Sequence, residues 1–202
     1  MRGIIVKCKV IKLDLHCRHS FAYSGTLEHR MDKIKVLFVC HGNICRSPMA
    51  EFIMKDMVRK RGLEDRFEID SVATSREEIG NPVYPPARRQ LAASGISCSG
   101  HAARQITRED FEYFDLIICM EEYNLINMQR VLRMSSNEMK AAMEQGSGLK
   151  GGPARISLML DYAPESYCRG RRDVADPWYT GNFDATWDDL MQGIEGLIDE
   201  LV

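Results

Sequence analysis

Cys40 and Arg46 stand six positions apart in VLFVCHGNICRSPMAE, residues 36–51. A thiol at the end of an apolar run, followed by Gly42, Asn43 and then an arginine beside Ser47-Pro48, is suited to nucleophilic chemistry on a phosphoryl group. A loop between a strand and a helix start gathers backbone N–H groups into one small volume, and the helix dipole adds positive potential there. Gly42 lets the backbone fold tightly, and Asn43 tolerates left-handed geometry while its side chain ties the loop together. Arg46 offers a planar fork for two phosphoryl oxygens. The same positive field favours the thiolate of Cys40, which is the attacking form. A lone buried cysteine is usually a small hydrophobe. That reading leaves the glycine, asparagine, arginine and Ser-Pro pair around it unexplained. Zinc held by Cys40, His41 and Cys45 is weaker, because no second ligand pair at metal-site spacing accompanies them. The expectation is chemistry without metal or cofactor.

These residues need a scaffold that ends a strand where a helix begins. Ile34 to Val39 is almost wholly apolar, as in a strand buried on both faces of a parallel sheet. Ser47 and Pro48 predict a helix start, with Ser47 as N-cap, and Met49, Phe52, Ile53 and Met57 share one face up to Gly62. Further strands are expected at 67–73, 114–120 and 156–160, and further helices at 88–93, closed by Gly95, and at 124–132. Residues 135–153 read as a polar surface insertion holding a short helix. Near the C-terminus, Trp187, Leu190, Met191, Ile194, Leu197, Ile198 and Leu201 form a helical core stripe. Asp184 is the expected N-cap there, and Asp188 and Asp189 sit near the positive end of the dipole. Strands alternating with helices predict an α/β fold: a three-layer sandwich with a four-stranded parallel sheet and a phosphate-binding loop after the first strand. Ligands in such sheets bind beyond the carboxyl ends of the strands, where Cys40 falls.

The chain has 202 residues, 45% hydrophobic and 28% charged, enough for one sizeable core. A formal net charge of −2 gives no general attraction to nucleic acid or to an anionic membrane. Seven cysteines, an odd number in a chain too long to need staples, suit a reducing cytoplasmic setting. No apolar run is long enough to span a membrane, and Lys7, Lys9 and Lys12 interrupt any signal-peptide core. Residues 4–15 alternate like an edge strand, whereas 16–30 show no period. Residues 1–30 therefore read as a poorly ordered N-terminal extension and 31–202 as the catalytic domain.

The run CHGNICRSPMAE resembles the Cys-x5-Arg-Ser signature of the low-molecular-weight protein tyrosine phosphatase family. DSVATS at 70–75, GISCSGHAARQIT at 95–107 and DPWYTG at 176–181 are similar to later segments of that family. The resemblance implies a cysteinyl-phosphate on Cys40, a phosphate clamp at Arg46 and a general acid at Asp176, which must be protonated for the first step and ionised for the second. Trp178 and Tyr179 after Asp176-Pro177 would wall a slot for a phenyl ring. His41, Gly42, Asn43, Ile44, Cys45 and Ser47 complete the phosphate loop, and Ser71 and His101 support it. The resemblance also implies that Cys45 can form a reversible disulfide with Cys40. The partner implied is a tyrosine-phosphorylated protein, and the state a monomer or weak homodimer.

This chain departs from the family at the rim of its pocket. His41 stands where an aliphatic residue is frequent, Glu77 where an aromatic one is, and Ala73 where glycine is common. An added carboxylate and less aromatic wall weaken binding of acidic phosphopeptides. Protein arginine phosphatase activity is the first rival, but those relatives carry threonine where this chain has Ile44, and isoleucine favours an aromatic ester. An arsenate reductase would need two further neighbouring cysteines, whereas Cys98 and Cys119 are far apart in sequence. A binding module without turnover would have lost Cys40, Arg46 or Asp176.

Overall fold

A computed structural model of the chain describes residues 33–144 and 154–202. The expected edge strand at 4–15, the 1–30 extension and residues 145–153 of the expected insertion lie outside the described residues.

In chain order the elements are β1 (Ile34–Cys40), α1 (Arg46–Lys60), β2 (Phe67–Ala73), α2 (Pro85–Ala93), α3 (Arg108–Tyr113), β3 (Leu116–Cys119), α4 (Glu122–Val131) and α5 (Ser136–Glu144). They continue with β4 (Arg155–Leu158), α6 (Glu165–Cys168), α7 (Pro177–Thr180) and α8 (Phe183–Leu201). The strands form one parallel sheet in the order β2-β1-β3-β4. β1 lies inside it, pairing Val39 with Val72 on one side and with Cys119 on the other. The chain turns one way after β1 and the other way after β2, so the crevice between the ends of β1 and β3 is the switch point where ligands bind in open α/β sheets.

β1 has no polar alternation because both its faces are covered. Val36, Phe38 and Cys40 face the layer of α1, α2 and α8, while Leu37 and Val39 face the layer of α3, α4 and α5. Four consecutive residues, Val36 to Val39, are completely buried, which is what an unbroken apolar run in a central parallel strand predicts.

Several element ends differ from expectation. α1 starts at Arg46 with Cys45 in the N-cap position, so Ser47 does not cap it. α8 is capped by the Asn182 side chain, which accepts from the Ala185 N–H, rather than by Asp184. Apolar character outlasts the ladders too: β3 spans only Leu116–Cys119, and after Leu158 the chain closes into a 3-10 turn at Met159–Tyr162. The short helices α3, α6 and α7 were not expected, since they have too few turns to show a hydrophobic period.

α8 lies directly on that 3-10 turn at two glycines. An added Cβ at Gly193 would sit 2.7 Å from the Met159 carbonyl oxygen, and one at Gly196 would overlap the Tyr162 carbonyl oxygen outright. Alanine is intrinsically better in a helix by about 1 kcal/mol, yet here overpacking against backbone decides the sign. Gly196→Ala is expected to destabilise the protein by about 1–3 kcal/mol, read as a lower urea midpoint with an unchanged slope.

Candidate active site

The loop from His41 to Cys45 wraps the end of β1 and delivers the chain into α1. It is fastened from outside by Thr74 N–H to the Cys40 carbonyl (2.9 Å), Ser75 N–H to the His41 carbonyl (2.9 Å) and Tyr84 N–H to the Ile44 carbonyl (2.8 Å). Asn43 takes φ of 56°, the left-handed region that asparagine enters more readily than other side chains. This turns the Asn43 N–H back onto the Cys40 sulfur at 3.2 Å. Among the described residues, no backbone acceptor takes the N–H groups of Gly42, Ile44, Cys45 or Arg46. They are left as donors in the loop that follows the thiol.

Behind the loop, a buried polar network has its proton directions set by its ends. The Asn43 side-chain amide donates to Ser47 Oγ (3.0 Å) and to Ser71 Oγ (2.8 Å). Its carbonyl oxygen accepts the Arg104 N–H at 3.2 Å, which fixes the amide orientation. Ser71 passes its own hydrogen to Glu51 Oε2 at 2.6 Å. The Ser47 hydroxyl therefore accepts from Asn43 and has one hydrogen left, facing Cys40 Sγ at 3.0 Å and the Val72 carbonyl at 3.3 Å. A thiolate has no hydrogen to offer, so with Cys40 ionised Ser47 is the donor. His101 donates from Nε2 to the Asn43 carbonyl at 2.8 Å. Asn43, Ser47, Ser71 and His101 thus lie together behind the loop. The sequence reading did not single out Glu51 and Arg104, which terminate the network.

Arg46 is 4% exposed and reaches forward. Its Nη2 pairs with Asp176 Oδ2 at 2.7 Å and Glu121 Oε1 at 3.0 Å, while Nη1 is buried without a partner. Burial alone would weaken this guanidinium; the Glu121 hydrogen bond and the nearby Cys40 and Asp176 outweigh it and raise the arginine above its ordinary value. Glu121 lies two residues past the end of β3 and is held by the buried Asn124 amide at 3.0 Å. Its position beyond a strand end was the signal for it in the sequence. Asp176 caps α7 by accepting the Trp178 N–H at 2.9 Å.

A cavity of about 710 Å³ opens above the thiol, lined by Cys40, His41, Gly42, Ile44, Cys45, Arg46, Glu77, Asp176, Trp178 and Tyr179. All the expected loop, acid and wall residues therefore face it or stand directly behind it. Glu78, Glu121, Glu122, Tyr123, Ile126 and Asp173 also line it and were not anticipated. Burial, then the proximity of Cys40 and of Asp176, pushes the Cys45 thiol up to about 12. Cys45 is thus a neutral thiol at physiological pH, and both it and Cys40 are free. Among the described residues no group of three or more His, Cys, Asp or Glu side chains is arranged to hold a metal ion.

Residues 35–202 match the family model described as low molecular weight phosphotyrosine protein phosphatase. The chain belongs to that family. It is 38% identical over 165 residues to the low molecular weight protein-tyrosine-phosphatase YfkJ of Bacillus subtilis, covering 82% of this chain and 94% of the relative. The crystal structure of YfkJ superposes with a TM-score of 0.72 at 35% identity, over 85% of this chain and 96% of that one. The human low molecular weight phosphotyrosine protein phosphatase is 39% identical over 149 residues, 74% of this chain and 82% of the relative. A Drosophila arginine phosphatase structure gives a TM-score of 0.67 at 27% identity, covering 83% and 97%. Membership makes the chain an enzyme of the protein-tyrosine phosphatase class, hydrolases of phosphomonoesters built on a cysteine nucleophile.

In this phosphatase the loop before α7 is gripped by α8. Asp189, only 1% exposed, accepts from the Ala175 N–H (2.8 Å), from the Tyr167 hydroxyl (2.8 Å) and from both terminal nitrogens of Arg171 (2.9 and 3.2 Å). Thr186 Oγ1 donates to the Ala175 carbonyl at 2.9 Å. The residue before Asp176 is thus held at both its peptide groups. The sequence placed Asp189 near the helix dipole, whereas it is a buried anchor; an acidic residue beside the core stripe was the available signal. Burial would raise its pKa, but Arg171, the Ala175 N–H and Tyr167 prevail and hold the carboxyl below its ordinary value. Its contribution to stability is therefore complete above the ordinary aspartate range near 4 and is lost as pH falls through the lower folded-state value. Asp189→Asn is expected to cost about 3 kcal/mol at pH 7. The difference in Tm between wild type and variant narrows as the pH is taken from 7 towards 3.

Proposed function

We propose that this phosphatase hydrolyses phosphotyrosine in proteins through a cysteinyl-phosphate, with Cys40 as nucleophile, Arg46 as clamp and Asp176 as acid and base. The observation that carries the reading is Cys40 Sγ held by the Asn43 N–H and facing the Ser47 hydroxyl, below an arginine with an unpartnered Nη1 in the same cavity. The loop N–H groups and Arg46 receive the phosphoryl oxygens and carry the charge that develops in transfer. The thiolate attacks phosphorus, the bond to the tyrosine oxygen breaks, and protonated Asp176 gives that oxygen its proton. Water then attacks the cysteinyl-phosphate, Asp176 takes the proton back, and the sulfur leaves as thiolate with inorganic phosphate as product. Positive charge comes from Arg46 and the amides, so no step needs a metal.

Trp178 and Tyr179 on one side and Ile44 at the floor suit a phenyl ring. Ile44 lines the cavity with an aliphatic surface and gives a guanidinium no polar contact, which favours phosphotyrosine over phosphoarginine. We assign the catalytic domain to residues 31–202, in keeping with the family match at 35–202. We read the protein as a cytoplasmic monomer or weak homodimer. Five free cysteines among the described residues suit a reducing compartment, and no described helix is long and apolar enough to cross a membrane.

With EDTA present, wild type is expected to hydrolyse p-nitrophenyl phosphate, Cys40→Ser to have no turnover, and Asp176→Ala to lose about 10²–10⁴ in kcat on phosphotyrosine. Phosphotyrosine should be turned over faster than phosphoarginine. A Cys40→Ser variant that still turns over refutes the assignment.

A further inference from the structure

Carboxylates stand around the mouth of the cavity. Glu77 and Glu78 approach from the loop after β2, Glu122 from the start of α4 and Asp173 from the loop before α7. Cations on the same lining are few. Arg46 is engaged by Glu121 and Asp176, and His41 faces Glu77 at 3.1 Å. Arg172 approaches Glu122 only to 3.4 Å, while its guanidinium is bound to Asp161 at 2.8 and 2.9 Å. Glu78 accepts from the neutral Asn81 amide at 2.6 Å, and Asp173 from the Glu122 N–H at 2.9 Å. Neither of these partners cancels a charge.

Large apolar side chains stand among these carboxylates. Trp178 is 56% exposed and Tyr179 86%, and across the cavity Tyr123 is 64% exposed. Carboxylates beside open aromatic faces suit a side chain with an apolar stem and a cationic head: the stem covers the ring, the cation lies over its face, and the carboxylate completes the pair. An acidic side chain there would meet like charge and gain nothing from the rings. Beneath this rim Arg46 lines the same cavity and keeps a buried Nη1 without a partner, so an anionic group is received at the floor and a cationic one at the mouth.

The geometry points to substrates in which lysine or arginine flanks the phosphotyrosine, with Glu78, Glu122 and Asp173 as the specificity-determining carboxylates. This inference rests on the phosphotyrosine reading above. The phosphate is drawn by the loop and Arg46, the basic flanks are drawn by the rim, and acidic phosphopeptides are turned away.

The test compares two synthetic peptides that differ only in having lysine or glutamate on both sides of one phosphotyrosine, with p-nitrophenyl phosphate as a flank-free reference. At low ionic strength kcat/KM for the lysine peptide is expected to exceed that for the glutamate peptide about tenfold. The ratio should shrink as salt rises from about 0.02 to 0.5 M. In Glu78→Gln/Glu122→Gln, checked for folding by circular dichroism, it should fall to about threefold or less. Equal rates for the two peptides, a preference for glutamate flanks, or a ratio unmoved by salt and by the double variant would each overturn the inference and leave the phosphatase reading standing. Turnover of p-nitrophenyl phosphate with neither peptide hydrolysed would overturn it together with the phosphotyrosine reading, leaving a phosphatase of another substrate class. A wild type inert on all three substrates would remove the phosphatase reading and this inference together, and phosphoarginine hydrolysed in preference to both peptides would reassign the acidic rim to the guanidinium group itself.

Discussion

One buried amide sets the geometry of the phosphate loop. Asn43 is completely inside the protein, in left-handed backbone, and its two amide hydrogens bridge Ser47 on α1 to Ser71 on β2. A polar group buried this deeply is costly unless every hydrogen finds an acceptor. Glu51 at one end and the Arg104 N–H at the other settle which way each donor points. The same arrangement that makes burial of Asn43 tolerable leaves the Ser47 hydrogen available to the sulfur. Stability of the loop and polarity of the thiol site come from one network.

The contrast between the loop and the rim follows from how each is made. Phosphate recognition is local, confined to eight consecutive residues, and is backed by a rigid interior. The cavity walls are borrowed from four separate segments, after β2, at the start of α4, before α7 and within it. Such segments vary without disturbing the sheet, so a shared floor can serve different partners through its mouth.

Much of this was legible in the sequence where a residue's neighbours along the chain are also its neighbours in space. Cys40 to Ser47 are one continuous stretch across a strand end, a loop and a helix start, and the apolar run before them left little choice but a doubly buried strand. Trp178 and Tyr179 were readable because they adjoin Asp176. Asp173 and Tyr123 were not, since each reaches the cavity only through the order β2-β1-β3-β4, which no local pattern encodes. Ser47 was misjudged as a cap because Ser-Pro is a strong local signal, while the stronger demand on its hydroxyl comes from Cys40 and Asn43, set by tertiary structure. Asp189 was read only as a charge near the helix dipole for the same reason: Arg171, Tyr167 and Ala175, its partners, are brought to it by the fold.

The all-parallel sheet has a further effect. No two of its strands can be joined by a tight turn, so Val36 must find Leu116, and Leu116 must find Arg155, across long stretches of chain. Loop-closure entropy comes before any of these contacts is rewarded, which makes such topologies slow to fold. The loop at Cys40 is held by β1, α1 and β2 and, through Tyr84, His101 and Arg104, by the chain between β2 and α3, whereas Asp176 arrives with β4, α7 and α8 at the far end of the chain. The phosphate loop and the acid that serves it thus come from opposite ends of the domain, and the site is complete only when the whole sheet has closed.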